Sequence, residues 1–412
     1  MNCLTCRVSP RDLLFFRDGR PLDIDKKHDD HRNIGHGAYW PRPDHFYHAV
    51  MHALIGSRMA GEKDAYGAFG GLQVEGPFPL LMDPNLGLEK MFFPRPLDWD
   101  CLLKVLPRGV TDAPEYVHHG FIDREDGKKD YPSWISYEDY LAYLSATMLK
   151  GHVLKRIELF GAETRIGNTL DFQTGASKRF SGEAHRSGQY EAQYLRLSPG
   201  VSMWASVNTG RDGVSVPSAC IMGGQGGLVD VKHDESLGTL NDRFPIKDIE
   251  AKILPADDGM FYVRWTLLVP ALFSQTGWRP GWVDEQTGKV RLKREPLARF
   301  DGESREDYKA RQAAIPDIEG VYLDAAHVGK PIAFSGYDNV CGIKDTQLAV
   351  PSGSCYVFRC ETKAAAGALV RHLHLTRKSD FGSQGFGIGV CSIVKPEPDP
   401  LETKQGHKDN LD

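Results

Sequence analysis

Hydrophobic and polar residues along the first part of the chain follow two different periods. The apolar positions from Cys3 to Phe16 predict a strand that is interrupted near Pro10. Apolar pairs then recur at helical spacing after Asp44, which predicts a helix with Asp44 as its N-cap and Gly56 at its end. Strands at 71–82 and 90–94 and a short helix capped by Ser136 complete the elements predicted before residue 150.

The second part of the chain is dominated by strand-like runs. These runs span residues 190–197, 202–207, 227–231, 249–254 and 260–269. Residues 362–375 predict a helix, and a glycine-rich loop at 379–387 leads from it into an apolar strand at 388–394. The proline-rich, polar tail after residue 394 is expected to remain unpacked.

This order of elements predicts an α+β fold built from ferredoxin-like units rather than a parallel, doubly wound sheet. The chain has 412 residues, whereas a single hydrophobic core stops growing near ~250–300 residues, so two domains are expected. We place the first domain at 1–190, the second at 191–394 and the tail at 395–412. The loop-rich stretch from Pro96 to Pro132 is interpreted as an insertion in the first domain.

Composition and charge narrow the possible functions. The chain is 41% hydrophobic and 25% charged, as folded proteins are, and its net charge of -5 confines any nucleic-acid site to a local basic patch. The N-terminal residues lack the pattern of a signal peptide and no apolar run of 18 residues occurs, which predicts a cytoplasmic protein without a membrane partner. Eight cysteines are too few for a disulfide scaffold, so we expect reduced thiols.

Cys3 and Cys6 have the spacing with which many zinc sites begin, but no second Cys-x-x-Cys follows. On a strand, these two side chains would point to opposite faces. We therefore favour buried thiols over a metal site here, and the sequence predicts no cofactor.

The glycine-rich loop and the residues that follow it have glycines at positions 382, 385, 387 and 389. It follows a helix and precedes a strand, which is the reverse of a dinucleotide-binding loop, so NAD or ATP binding is disfavoured. Two interpretations stay open. Glycine amides and neighbouring cations such as Arg371 and Lys378 could hold an RNA backbone, or the glycines could merely permit close packing.

Six histidines fall within residues 28–52, and His45, His48 and His52 are expected to share one face of the first helix. Such a cluster could ligate a metal ion or act as a general acid or base. Its spacing does not match H-E-x-x-H, so a polar surface is the preferred interpretation.

A turn-rich centre between extended flanks predicts a projecting hairpin over about residues 163–190. Two aromatic residues, Phe172 and Phe180, occur there beside arginines. Exposed aromatic rings next to guanidinium groups could stack on bases, or these rings could pack on the neighbouring domain. The sequence leaves both interpretations open.

Several segments, taken together and in this order, resemble one known family. They are PRDLLFFRDGRP (10–21), RIGN (165–168) with Asp171, Thr174, Gly175, Gly182 and Tyr190, GGQGG (223–227), PALF (270–273), GWRP (277–280), GYD (336–338), VPSGSCY (350–356) and GSQGFG (382–387). The chain resembles the RAMP-superfamily subunit of type III-B CRISPR (Cmr) effector complexes that holds the 5′ end of the guide RNA.

The resemblance implies two ferredoxin-like (RRM-like) RAMP domains, a thumb-like hairpin and no catalytic site. It also implies that the chain binds the repeat-derived 5′ handle of the crRNA and docks against the large cyclase/polymerase-like subunit. The backbone RAMP subunits would be further partners, and target RNA would be reached indirectly. These partners define an expected role in antiviral defence.

The RNA-binding residues expected on this basis fall into two groups. Positions that match the family's motifs are Arg17, Arg20, Arg165, Phe172, Gly382, Gln384 and Gly385. Basic and polar residues beside them are Asn168, Lys178, Arg179, Arg186, Arg371, Lys378 and Ser383. Two other classes of function stay open: an RNA-processing endonuclease that uses His45, His48 or His52, and a structural subunit that contacts only protein.

Overall fold

The computed structural model describes most of the chain in separate ranges. They are residues 3–16, 34–35, 37, 39–56, 69–83, 87–106, 114–124, 130–145, 154–168, 173–175, 179–180, 186–187, 189–211, 213–292, 304–313, 318–334, 337–338, 342–343 and 345–397. The fold is mixed α/β with mostly antiparallel sheets, and among the strand pairs of these ranges only β2 and β11 run parallel. None of the helices in these ranges is long and apolar enough to span a membrane.

The larger of the two main sheets, here called the large sheet, has seven strands and carries a helix on one face. Numbered along the chain, its strands in spatial order are β13 (Ala219–Ile221), β14 (Leu228–His233), β1 (Leu4–Pro10), β12 (Val201–Asn208), β3 (Gln73–Met82), β4 (Glu89–Pro94) and β7 (Trp134–Ser136). Helix α1 (Pro43–Gly56) buries Phe46, Val50 and Leu54 against this sheet. Their spacing of four residues places all three on one helix face.

The second main sheet, here called the small sheet, has four strands. Its spatial order is β16 (Val321–His327), β21 (Cys355–Cys360), β15 (Phe261–Leu267) and β22 (Gly389–Val394). Helix α6 (Lys363–Leu373) packs Leu369, Val370 and Leu373 on one face of it, beside Trp265. Thr362 caps this helix, because its hydroxyl accepts a hydrogen bond from the amide of Ala365 at 3.0 Å.

The remaining elements are short. The other helices are α2 (Tyr137–Leu144), α3 (Leu240–Arg243), α4 (Ile246–Glu250) and α5 (Arg305–Ala313). The smaller strand groups are β2 (Ile34–Gly35) with β11 (Gln189–Leu197) and β8 (Phe160–Asn168), β5 (Cys101–Val105) with β6 (His119–Asp123), β9 (Arg179–Phe180) with β10 (Arg186–Ser187), β17 (Ile332–Phe334) with β20 (Gln347–Ala349), and β18 (Tyr337–Asp338) with β19 (Gly342–Ile343).

The two main sheets share a hydrophobic core. Phe78 and Trp204 of the large sheet lie in the same buried cluster as Leu268, Ile388 and Val390 from the small-sheet side. Burial of large aromatic side chains contributes roughly 2–3 kcal/mol each, so this shared cluster holds the two sheets together.

The face of the small sheet opposite α6 is covered by residues from the N-terminal half of the chain. The β5–β6 hairpin places Leu103 in a cluster with Tyr262 and Val357. His119 of the same hairpin contacts the buried carboxylate of Asp324, with 2.7 Å between Nδ1 and Oδ2. The segment from Pro96 to Pro132, interpreted from sequence as an insertion, therefore contributes side chains that cover this face of the small sheet.

A second buried contact joins the same two parts of the chain. The guanidinium of Arg264 on β15 pairs with the Asp98 carboxylate at 2.9 Å and lies 3.8 Å from the centre of the Tyr143 ring. The Tyr143 hydroxyl donates to the other oxygen of Asp98 at 2.6 Å. Because these charges are buried and mutually satisfied, loss of one partner would leave the other uncompensated.

The division predicted at residue 190 does not coincide with the division between the sheets. Strands β12 and β14 lie beyond residue 191, yet both pair with β1. The first strand of the small sheet begins only at Phe261. Strand β3 pairs with β4 on one side and with β12 on the other, so the large sheet takes strands from both sides of residue 190, which the local pattern of hydrophobic residues could not show.

Two local predictions were wrong for identifiable reasons. Residues 249–254 were expected to form a strand, but Ile246–Glu250 is a helical turn that follows Pro245. Asp44 does not cap α1, because the helix already begins at Pro43. Its carboxylate is held instead by the guanidinium of Arg42 at 3.0 and 3.1 Å.

Candidate nucleic-acid interface

Segments from widely separated parts of the sequence meet around Phe15 and Phe16. The Phe15 ring lies 5.4 Å from the ring of Tyr194 on β11, and Phe16 stacks on His45 of α1 at 4.6 Å. The carbonyl of Phe15 accepts a hydrogen bond from the amide of Gly224 at 2.8 Å. The described part of the N-terminal run, which ends at Phe16, thus lies at the centre of this group.

The glycine patch, residues 223–227, packs against this centre. A Cβ atom on Gly223 would lie 2.8 Å from the Phe16 ring, and one on Gly227 would lie 2.9 Å from the Leu14 side chain. Gln225 and Gly226 have positive φ angles of 60° and 71° and are exposed. The patch therefore combines two glycines required by packing with an open backbone at its tip.

Two arginines lie on one face of the β8–β11 strand pair. Arg165 contacts the carboxylates of Glu163 at 3.1 Å and Asp12 at 3.5 Å, and Arg196 contacts the same two carboxylates. The Arg165 guanidinium also lies 5.9 Å from the Tyr194 ring centre. Hydrogen bonding from Arg196 lowers the pKa of Glu163 below its ordinary value, so the carboxylate stays ionised.

The side chains of this group form an exposed, charge-balanced surface. Arg165 and Arg196 are each about half exposed, so their ion pairs with carboxylates are solvent-screened and weak. A phosphate can replace an exposed carboxylate as the partner of a guanidinium. Sequence analysis missed Tyr194 and Arg196, although the alternation of Tyr190, Ala192, Tyr194 and Arg196 on a strand already predicts a shared face.

The glycine-rich loop packs against the start of α1 and against β3. A Cβ atom on Gly385, whose φ is +92°, would lie 2.8 Å from Pro43 and 3.0 Å from the carbonyl oxygen of Val74. One on Gly387 would lie 2.7 Å from the Ser379 hydroxyl. Close packing is thus a sufficient reason for these two glycines.

Several amides of the loop already donate hydrogen bonds within the protein. The amides of Gln384, Gly385 and Gly387 donate to Phe381, Gly382 and Pro270, each at 2.9 Å. The amides of Gln384 and Gly385 are therefore bonded within the loop itself. Ser383 is exposed, and Phe381 has a positive φ of 56° with 40% of its side chain exposed, so the accessible part of the loop is its tip.

Arg377 ties the lead-in of this loop to the large sheet. Its guanidinium contacts Glu75 at 3.2 Å, and both side chains are mostly buried. Burial raises the pKa of Glu75 above its ordinary value, and the charge of Arg377 opposes that rise. Because Glu75 lies about 300 residues earlier in the chain, this contact of Arg377 has no signature in the neighbouring sequence.

The other predicted site residues are less closely grouped. Arg371 pairs with Glu250 at 2.7 Å on the outer side of α6, and the Lys378 side chain is partly buried beside the loop. Arg17, Arg20, Phe172 and Lys178 lie outside the described residues. The backbones of Asn168, Arg179 and Arg186 are in strands β8, β9 and β10, and their side chains are outside the described part.

The three helical histidines do not share one environment. His45 is enclosed between Phe16 and Arg42, and burial lowers its pKa to about 4, so it is neutral near pH 7. His48 and His52 are exposed, with their ring centres 6.4 Å apart. The expected common face therefore holds for two of the three.

Cys3 and Cys6 also lie in different environments. Cys6 is fully buried in the core under α1, and burial raises its thiol pKa to about 12. Cys3 is exposed and contacts the Ser206 hydroxyl at 2.7 Å. Within the described ranges, no group of three or more His, Cys, Asp or Glu side chains is placed to hold a metal ion.

Coverage of the small sheet restricts where a nucleic acid could bind. RRM domains stack bases on the open face of a four-stranded sheet. Here Leu103, Asp98 and Tyr143 occupy that face, and Tyr262 and Arg264 are buried beneath them. Among the described residues, the surface open to a nucleic acid is instead formed by the tips of the glycine patch and the glycine-rich loop and by the β8–β11 pair.

The chain matches the sequence model of the family described as CRISPR-associated protein (Cas_Cmr3) over residues 6–394. No curated protein matches it in sequence. A chain of the cryo-EM structure of the type III-B Cmr-beta complex bound to cognate target RNA is 14% identical, with 86% of each chain covered and a TM-score of 0.39.

A chain of the crystal structure of the Csm3–Csm4 subcomplex from the type III-A CRISPR-Cas interference complex is 10% identical, with 86% of this chain and 92% of that chain covered and a TM-score of 0.32. A chain of the Csm1–Csm4 cassette in complex with AMPPNP is 12% identical, with coverages of 67% and 81% and a TM-score of 0.27. These scores are too low to support an argument of their own.

Proposed function

Because this chain belongs to the Cas_Cmr3 family of CRISPR-associated proteins, as its motifs predicted, we propose that it is a non-catalytic, RNA-binding subunit of a type III-B effector complex. In this proposal it holds the repeat-derived 5′ handle of the crRNA. It docks against the large cyclase/polymerase-like subunit and the backbone RAMP subunits, and through them serves antiviral defence in the cytoplasm.

The fold supports assigning the two main sheets to the two ferredoxin-like RAMP domains of the proposed subunit. Each sheet carries one long helix on one face, α1 on the large sheet and α6 on the small one. In this proposal the β8–β11 pair, between whose strands β9 and β10 lie in the sequence, is part of the thumb-like hairpin. The β5–β6 hairpin and the short strand pairs β17–β20 and β18–β19 are additions to these two domains.

One observation carries the proposal more than any other. Motifs that lie more than 350 residues apart in the sequence, from Phe15 to Gly385, are neighbours in the structure. Phe16 stacks on His45 at one end of α1, and Gly385 packs on Pro43 at that same end. Segments that carry the family's motifs thus meet at one end of α1, and this is where the proposal places the RNA.

The mechanism we propose is capture of the RNA backbone. Arg165 and Arg196 exchange their exposed carboxylate partners for phosphates, while the Tyr194 ring beside them offers an apolar surface to the ribose or base. The open tips of the glycine patch and the glycine-rich loop allow the chain to approach closely. Because phosphate contacts release counterions, affinity should fall steeply as salt rises.

Charge reversal tests this function. The triple variant Arg17→Glu, Arg165→Glu and Arg371→Glu, within the reconstituted complex, should lose most of its guide RNA, whereas Arg156→Glu, at an exposed ion pair elsewhere, should retain it. The measurement is the amount of RNA that co-purifies with the complex. Unchanged retention in the triple variant would count against the proposal.

The same preparations separate the alternatives. A non-catalytic subunit should leave repeat RNA intact both with and without EDTA, whereas cleavage that disappears in His48→Ala would favour an endonuclease. A subunit that contacts only protein would give no RNA crosslinks under ultraviolet light in the assembled complex.

A further inference from the structure

A cleft of about 630 Å³ lies between the two main sheets. Phe16 and Trp40 line it from the side of the large sheet, and Leu268 and Val269 line it from the end of β15. Ile332 and Ala333 of β17 form its rim. Its volume is in the range of roughly 300–1,000 Å³ found for sites that enclose a small molecule or a single flat group.

The walls of the cleft are rigid. Six prolines line it, and proline has a fixed φ and no amide donor: Pro41, Pro43, Pro77, Pro94, Pro270 and Pro331. The Trp40 indole donates a hydrogen bond to the carbonyl of Pro77 at 2.8 Å and contacts Trp134 edge-on at 5.4 Å. These contacts preform an aromatic wall, and Tyr39, half exposed at the mouth, adds a second ring.

The cleft is nearly neutral. Among its described lining residues none is acidic, and Arg42 and His45 are the only basic ones. The Arg42 guanidinium is held by both oxygens of Asp44, and His45 is turned against Phe16. A phosphate would find no uncompensated cation among these side chains, whereas a neutral aromatic ring would lose little by leaving water.

The cleft is continuous with the proposed RNA surface. Pro43 lines the cleft and also contacts Gly385, and Pro270 lines it while accepting a hydrogen bond from Gly387. Phe16, which forms part of the wall, immediately precedes Arg17 in the chain. Phe16, the last described residue of the N-terminal run, and the glycine-rich loop therefore both border the cleft.

We propose that this cleft encloses one unpaired nucleobase of the bound RNA, whose phosphates stay outside on the surface described above. The inference rests on the proposed function and extends it, because it adds a base-binding site to a backbone-binding surface. The base stacks on the aromatic and proline rings, as single-stranded RNA does in sequence-tolerant sites.

Two variants of the cleft, one control variant and a set of abasic RNAs test the proposal. Ala333→Trp fills the cleft from its rim, Tyr39→Ala removes the half-exposed ring, and Leu254→Trp adds the same indole at an exposed position elsewhere. The probe is the single-stranded 5′ segment of the guide RNA with a fluorophore, intact or with one base removed at a time. Fluorescence anisotropy measures its affinity for the full chain.

In the unmodified chain, removal of one particular base should weaken binding about tenfold, since stacking of one base contributes that much. Ala333→Trp should weaken binding of intact RNA by a similar factor and no longer distinguish it from that abasic RNA. Tyr39→Ala should have a smaller effect in the same direction, and Leu254→Trp should have none.

The outcomes separate the two proposals. If the unmodified chain does not bind the intact RNA, the proposed function fails and the cleft proposal fails with it. If it does bind, but Ala333→Trp keeps both the affinity and the sensitivity to abasic positions, only the base site is wrong. Loss of a protein subunit from the Ala333→Trp complex, with RNA affinity unchanged, would instead assign the cleft to a side chain of a protein partner.

Discussion

The glycine-rich loop at 379–387 and the glycine patch at 223–227 have similar sequences and opposite physical situations. In the loop, Gly385 has a positive φ and no space for a Cβ atom, because Pro43 and Val74 press against it. In the patch, Gly226 also has a positive φ, but nothing lies within 4 Å of the position of its Cβ atom. Gly385 is required both by its backbone conformation and by close packing, whereas Gly226 is required by its backbone conformation alone.

This difference shows why a glycine-rich motif is a weak guide to function. Both segments could be interpreted from sequence as backbone that meets an RNA phosphate. The structure uses the amides of Gln384 and Gly385 inside the loop, packs Gly385 against Pro43 and β3, and leaves the tip of the patch open. The loop side is therefore expected to govern stability, and the patch side, with Phe15 and the arginines of the β8–β11 pair, to govern binding.

The largest effect is expected from matched alanine substitutions at the two glycines. Gly385→Ala should lower the free energy of unfolding by about 3 kcal/mol, because backbone strain adds to a clash with Pro43 and β3. Gly226→Ala should cost only about 1 kcal/mol, the strain of a left-handed alanine. Denaturation in urea measures both. Equal costs at the two positions would contradict the distinction between the loop and the patch.

Prediction from sequence succeeded where short-range chemistry decides the structure. Ser136 caps its helix as expected, because a hydroxyl three residues before an orphan amide is a local arrangement. The helix predicted at 362–375 is also present, and Thr362 caps it in the same way. The apolar period of α1 likewise placed its buried face correctly. These features depend on neighbours within a few positions, which the sequence displays directly.

Prediction failed where distant segments decide. The sequence of the β5–β6 hairpin was interpreted as part of a loop-rich insertion. The sheet face that its Leu103 covers is built from residues more than 150 positions later, so the neighbouring sequence gives no sign of this contact. The contacts of Phe16 with His45 and of Gly385 with Pro43 have no local signature either. The candidate surface could thus be assembled from sequence only through the family resemblance, and its cleft could not be anticipated at all.

A second test concerns the ion pair beside the loop. Arg377→Met should lower stability by about 2 kcal/mol at neutral pH, because it leaves the mostly buried Glu75 carboxylate without its partner. The pKa of Glu75 is already raised by burial, and loss of Arg377 raises it further. A carboxyl whose folded pKa exceeds its unfolded value of 4.5 stabilises the fold below that value and loses this contribution as pH rises through the folded pKa.

The deficit of Arg377→Met should therefore be smaller at pH 4 than at pH 8, as measured by thermal unfolding across that range. Addition of Glu75→Gln should recover part of the lost stability and flatten its pH dependence. If the loss of stability in Arg377→Met does not depend on pH, it arises from lost packing and not from the unpaired charge of Glu75.

On the patch side, Arg11→Ala breaks an ion pair with Asp230 in which both side chains are exposed. No measurable change in the free energy of unfolding is expected.

The smallest effect tests binding on the patch side. Asp12 lies 3.5 Å from Arg165 and 3.8 Å from Arg196, so its carboxylate competes with any phosphate for both guanidinium groups. Asp12→Asn should tighten RNA binding about threefold at low salt, and less at high salt where exposed charges are screened. Asp130→Asn, which frees Arg156 at an exposed pair elsewhere, should leave affinity unchanged. Anisotropy titrations across a salt series measure both, and an Asp12→Asn variant that binds RNA no better than the unmodified chain would place the phosphates away from these arginines, although the stability results for the loop would stand.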